Sequence, residues 1–147
     1  MAIDIETIKT MLGTDLKING AELDTESLRI PQIHSKYLNI FHDEKLIFQS
    51  LRMKKRLLIK DKWEYYTGKM DMDTLKLKGW EPFNLKILKQ DVGMYIDSDA
   101  DIISIDSKLS IQQEKVDFLQ ESIKSINNLQ WHIRDAIAWR KFKNGVN

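Results

Sequence analysis

The chain has no cysteine, and only two prolines and six glycines among its 147 residues. Without cysteine there is neither a disulfide framework nor a thiolate-bound metal. So little proline and glycine favours long helices over many short strands. The longest uninterrupted apolar run is Ala136-Ile137-Ala138-Trp139, far short of the roughly 20 residues that cross a bilayer. The opening residues, MAIDIETIKT, lack the basic-then-apolar order of a signal peptide, so a cytoplasmic location and no membrane partner are expected. Neither GxxxxGK[ST] nor GxGxxG occurs, and no nucleophile elbow is present. Nothing in the sequence points to an enzyme or to a cofactor.

Charged residues make up 31% of the chain and apolar ones 42%, which describes a soluble protein of one domain. The net charge of +1 conceals strong segregation. Residues 45–69 hold eight cations (Lys45, Arg52, Lys54, Lys55, Arg56, Lys60, Lys62, Lys69) against Asp61 and Glu64. Residues 91–121 reverse the sign, with eight acids against Lys108 and Lys115. Such opposed segments suit pairing between subunits or an acidic face for another partner. Trp63, Tyr65 and Tyr66 lie within the basic segment. Cations neutralise phosphates and ring faces receive unpaired bases, so single-stranded nucleic acid is the ligand this mixture suggests.

The periodicity predicts a mainly all-α fold. Ile5, Ile8, Met11 and Leu12 form a short first helix, followed by a turn region over residues 13–20. A long helix is predicted over residues 31–66, with Pro31 in its first turn and Gly68 as its stop. Residues 24–30 supply a turn of helix before it. At roughly 1.5 Å per residue this helix is about 50 Å long, which suggests an extended or oligomeric architecture. On it Leu51, Leu58 and Tyr65 form an apolar seam, Lys55, Lys62, Tyr66 and Lys69 the face for a strand, and Arg56 and Lys60 a flank. Residues 68–84 read as a loop. In it Leu75 and Leu77 alternate with Lys76 and Lys78 in a strand-like way, and Trp80 and Phe83 anchor by packing. Residues 85–88 read as one helical turn.

From Ile102 a seam repeats at spacings of three and four: Ile102, Ile105, Leu109, Gln112, Val116, Leu119, Ile123, Ile126, Gln130, Ile133, Ile137 and Arg140, nine of the twelve apolar. Five heptads predict a coiled-coil-like oligomerisation helix with Val116, Leu119, Ile123, Ile126, Ile133 and Ile137 at its contact. Phe118, Leu129, Ala136 and Trp139 form a second stripe beside it, which suits a bundle or ring. The competing expectation is a helix buried within one monomer. The chain thus divides into residues 1–84, with the N-terminal helices and basic region, and residues 85–147, the oligomerisation region, within one structural unit.

Other chemistry is weaker. Asp97, Asp99 and Asp101 begin like a calcium loop, but Ile102 stands where Gly is needed and Lys108 where Glu is needed. These acids fit better as caps on the following helix. His34, His42 and His132 have no cysteine or third ligand to join them. Asp71 and Asp73 read as a solvated loop. No metal site is expected.

The run Lys60-Asp61-Lys62-Trp63-Glu64-Tyr65-Tyr66-Thr67-Gly68, followed by Met70-Asp71-Met72-Asp73, resembles a distinctive segment of UvsY, the recombination mediator family of tailed bacteriophages. Lys86, Leu88, the acids at 97–101, Ile105-Asp106-Ser107-x-Leu109 and the final helix through Ile133-Arg134-Asp135 follow in the family's order. The resemblance runs from about Tyr37 to the C-terminus. It implies a helical homo-oligomer, a ring of six or seven subunits, that binds single-stranded DNA. It implies loading of a RecA-like recombinase onto DNA covered by single-strand-binding protein, in the cytoplasm of the infected bacterial host. The family's DNA-binding basic pair carries over onto Lys60 and Lys62, the second a point charge where the family has the planar fork of Arg. Lys60, Lys62 and Lys55 are expected to supply the phosphate contacts, with Arg56 and Tyr66 assisting and Lys54 and Lys69 completing the site. A coiled-coil adaptor for an acidic protein, and a magnesium-dependent nuclease using the acids at 97–101, are the alternatives.

Overall fold

The structure is a computed structural model that describes residues 3–145. Its elements are helix α1 (Ile5–Asp15), α2 (Leu23–Tyr66), α3 (Met72–Lys78), α4 (Val92–Asp97) and α5 (Ala100–Lys143), with a 3-10 turn at Lys89–Asp91 leading into α4. The described residues contain no strand, and the all-α expectation holds.

Helix α2 begins eight residues earlier than the proline signal predicts, so Pro31 lies inside it. Its ring is exposed. The missing N–H leaves the Ser27 carbonyl without its helical donor, a loss that 44 residues of helix absorb. At the other end Gly68 takes φ +74°. The Lys69 N–H then returns to the Glu64 carbonyl at 2.9 Å, closing the helix where the sequence indicated.

The strand-like alternation at residues 75–78 is overturned by α3. The Asp71 carboxylate accepts the Thr74 N–H at 2.7 Å and starts a helix. Gly79, at φ +70°, ends it, with the Trp80 N–H on the Leu75 carbonyl at 3.0 Å. The alternation never becomes two faces: Leu75 is buried and Leu77 is exposed. Residues 85–88 form no helical turn; the turn forms just after them, at Lys89–Asp91.

Two compact units emerge, and their boundaries fall at 47/48 and 112/113 rather than at residue 84. The first combines the chain up to Ile47 with the chain from Gln113. Its core joins Ile8 and Leu12 of α1, Leu23, Ile30, Ile33 and Tyr37 of α2, and Leu119, Ile126 and Ile133 of α5. Much of the heptad seam therefore packs against α1 and α2 of the same chain. Val116, Leu119, Ile126 and Ile133 are buried, and Ile123 and Ile137 are partly buried against the same core. Gln130 is exposed. Polar ties fix the register of this unit. Arg29 donates to the carbonyls of Asp15 and Lys17, both at 2.9 Å, satisfying the end of α1. The Tyr37 hydroxyl and Lys36 ammonium both bind Asp15 Oδ2, at 2.7 and 2.8 Å.

The second unit, residues 48–112, has a smaller core. Val92, Ile96 and Ile102 are buried, with Leu58, Trp63, Tyr66 and Ile87 packed against them. Leu58 is thus a core residue, as its seam position predicts.

Candidate nucleic-acid interface

All the proposed cationic contacts lie in the second unit, on α2 and the turn after it. Helical geometry sorts them into two groups. The inward side of α2 carries Leu58, Lys62 and Tyr66, at successive four-residue steps toward the Val92–Ile96–Ile102 core. The outward side carries Arg52, Arg56 and Lys60, also four apart and all exposed.

Lys62 is 4% exposed, so its charge must be met internally. Its ammonium sits 2.8 Å from Asp101 Oδ2 and 3.1 Å from Asp99 Oδ2. The Trp80 ring centre is 3.8 Å away and that of Tyr65 is 5.5 Å away. The Tyr66 hydroxyl donates to Asp99 Oδ2 at 2.6 Å. Asp99 Oδ1 accepts the N–H groups of Asp101 and Ile102 at 2.9 and 3.3 Å, capping α5. Asp99 thus caps the helix in the way the sequence suggested, and Asp101 stands in its first turn. Burial alone would raise the Asp99 pKa, but the donors Tyr66, Lys62 and the Ile102 N–H outweigh it and hold the carboxyl below its ordinary value. For Tyr66, burial and then the Asp99 hydrogen bond push the phenol well above its usual range.

Tyr66 is half-buried in an aromatic cluster. Its ring meets Phe83 edge-on at 4.9 Å and Tyr95 at 5.6 Å, while Tyr65 meets Trp80 at 5.4 Å. Trp80 and Phe83 anchor the loop through these rings, as expected. The Tyr65 hydroxyl adds a 2.6 Å bond to the Glu81 carbonyl.

Lys55 is partly exposed and pairs with Asp106 at 2.6 Å. Lys54 is exposed on a different side of the helix, and Lys69 is exposed with its ammonium 4.4 Å from the Trp63 ring centre. Arg56 and Lys60 make no ion pair with a described residue. The structure therefore separates the predicted pair Lys60 and Lys62: one cation is open, the other enclosed. It joins to Lys60 and Arg56 a residue the sequence analysis counted but did not single out, Arg52. The spacing of 52, 56 and 60 was the available signal. Taking Leu51, Leu58 and Tyr65 as the centre of the buried side left Lys62 just outside it, whereas the true centre runs through Lys62.

Lys60 lies about 6 Å along the axis from Arg56, and Arg56 the same distance from Arg52. Stacked nucleic acid carries one charge per ~3.4 Å of strand. Adjacent cations thus meet adjacent phosphates only on an unstacked strand, or meet alternate phosphates on a stacked one. Among the described residues, no three His, Cys, Asp or Glu side chains are placed to hold a metal ion. Among the described residues no helix is long and apolar enough to cross a membrane.

Comparison with known proteins gives this geometry a context. The family described as "Recombination, repair and ssDNA binding protein UvsY" matches residues 11–146. The recombination protein uvsY of Enterobacteria phage T4 is 22% identical over 141 residues, which is 96% of this chain and 98% of that protein. Crystal structures of the bacteriophage T4 recombination mediator protein UvsY have the same fold. One superposes with a TM-score of 0.84 at 21% identity, covering 97% of this chain and 99% of that one. Another gives 0.80 at 18% identity, covering 96% and 99%.

Proposed function

We propose, from the premise that this chain belongs to the UvsY family of recombination, repair and single-stranded-DNA-binding proteins, that it is a non-catalytic recombination mediator. It binds single-stranded DNA as a multimer, a hexamer or heptamer, and helps load a RecA-like recombinase onto DNA covered by single-strand-binding protein. Its place of action is the cytoplasm of the infected bacterium. The observation that carries this reading is the open row Arg52–Arg56–Lys60, in which no cation is ion-paired to a described residue, although Glu64 follows one step further along that side of α2. Three cations make a weak site. Repeated around a ring, such sites act at high effective concentration and sum to tight binding. Several copies bending one strand would loosen the single-strand-binding protein and present the strand to the recombinase.

Within this reading Arg56 and Lys60 supply the first phosphate contacts, with Lys69 beside them and Lys54 contributing long-range charge. Lys55 joins by exchanging Asp106 for a phosphate. Tyr66 and Lys62 support the surface from beneath it, and Lys62 reaches a phosphate only if its carboxylates yield. The test is a salt titration of binding to oligothymidine, with native mass spectrometry for subunit number. Tight binding that weakens steeply with salt supports the proposal. A protein that ignores oligothymidine in dilute buffer yet captures an acidic polypeptide would be an adaptor instead.

A further inference from the structure

Beyond the end of α2 the second unit contains a cleft of about 660 Å³, walled by Tyr66, Thr67 and Gly68 on one side and by Phe83 to Ile87 on the other. Its size is that of a pocket for a small organic group. Three properties define what fits there. Lys86 and Lys89 stand at its wall, both exposed, with no acidic side chain among the lining residues and no ion pair to a described residue. The rings of Phe83 and Tyr66, edge-to-face at 4.9 Å, form its apolar wall. The backbone of residues 82–87 lies outside any helix and makes no hydrogen bond with a described residue, so its peptide groups are unpaired.

Cations, ring faces and open peptide groups together suit a nucleotide unit: phosphate on the lysines, base against the rings, base edge on the backbone. An acidic peptide would use the lysines and the unpaired backbone but has less use for the rings. Position favours the nucleotide too. The row Arg52–Arg56–Lys60 is followed along the chain by Trp63 with Lys69 over it, at 4.4 Å. Lys69 adjoins Gly68, which lines the cleft.

We propose that this cleft is a second subsite for single-stranded DNA, which receives one nucleotide of the strand held by the α2 row. The proposal rests on the DNA-binding reading and extends it. The α2 row draws the strand in by charge; the cleft unstacks one base and sets the strand's register on each subunit.

The test compares two variants of the full chain with the unaltered protein. Lys86→Ala with Lys89→Ala alters only exposed side chains. It should weaken oligothymidine binding at least tenfold at moderate salt and reduce the salt slope by about 0.7, the contribution of the one single-strand phosphate the lysines neutralise. Phe83→Leu should keep the slope but lose the preference for oligothymidine over an abasic strand of equal length. If the unaltered protein does not bind oligothymidine, the underlying reading fails. If it binds and Arg56→Ala with Lys60→Ala weakens it, while both cleft variants match the unaltered protein, the cleft proposal alone is overturned. Oligoglutamate binding that the lysine variant abolishes, with DNA binding intact, would assign the cleft to a protein and overturn it as well.

Discussion

The Lys62 ammonium lies 2.8 Å from the Asp101 carboxylate. Asp99 stands at 3.1 Å on the same ammonium, so one lysine ties the end of α2 to the start of α5. That makes Lys62 first a structural residue. Lys62→Ala leaves Asp99 buried without its cation, which we expect to cost the low end of the ~3–5 kcal/mol seen for broken buried pairs. Tyr66 and the backbone donors soften the loss. Urea unfolding measures it. A charge reversal at Lys62 that abolishes DNA binding is consequently uninformative unless the variant is shown to be folded.

Asp101 is half-exposed and holds Lys62 as a phosphate oxygen would. Asp101→Asn removes one negative charge and loosens that hold, while Asp99 still satisfies the ammonium. Binding to oligothymidine should tighten severalfold and its salt slope steepen. Equal affinity at every salt concentration would show that the carboxylate does not compete with DNA.

Arg56→Ala with Lys60→Ala should do the reverse. Both side chains are exposed, so stability should stay within about 0.5 kcal/mol of the unaltered protein. Affinity for single strands should fall, and the salt slope should drop by about 1.4. Unfolding and fluorescence titration on the same sample separate the two effects. Retained affinity would move the strand off the outward side of α2.

What could be foreseen depended on how local each signal was. The end of α2 at Gly68 and the α5 cap at Asp99 are set by neighbours within a few residues, and both were legible. The partners of Lys62 are not: Asp99 and Asp101 lie 37 and 39 positions away, and no pattern along the chain marks which lysine a distant carboxylate selects. The heptad seam is ambiguous for a different reason. Spacing of three and four reports that a helix buries one side, not whose helix covers it. Here α1 and α2 cover Leu119, Ile126 and Ile133. In α3 the local signals disagreed, and a capping aspartate with a left-handed glycine overrode the alternation of Leu75 and Leu77.

Because the seam is occupied, core and assembly need different probes. Ile126 is fully buried, so Ile126→Ala should destabilise the first unit by roughly 2–5 kcal/mol whatever the oligomeric state. By contrast, Trp139 and Phe142 stack at 5.6 Å on the exposed side of α5. Trp139→Glu should leave the unfolding midpoint near that of the unaltered chain. If these rings meet a second copy, it should also shift sedimentation toward smaller species. An unchanged sedimentation profile would place self-association elsewhere.

Acid should loosen the second unit through Asp99. Its folded pKa lies below the ordinary value of 3.8. The unfolded chain therefore takes up the proton first as pH falls, and stability is lost on descending from about pH 4 through the folded pKa. Above that window the contribution of Asp99 is complete and independent of pH. Asp99→Asn removes it everywhere, so this variant should be clearly less stable than the unaltered protein at pH 7. The gap should then close as pH falls below about 4. Asp15 has the same sign: burial raises its pKa, but Lys36 and Tyr37 prevail and hold it low. The first unit thus weakens over a similar range, and the comparison must be between variants rather than within one titration. Denaturant midpoints measured across the acid range decide the matter. Parallel curves for the two proteins would mean that Asp99 is not stabilised as a carboxylate by Lys62 and Tyr66.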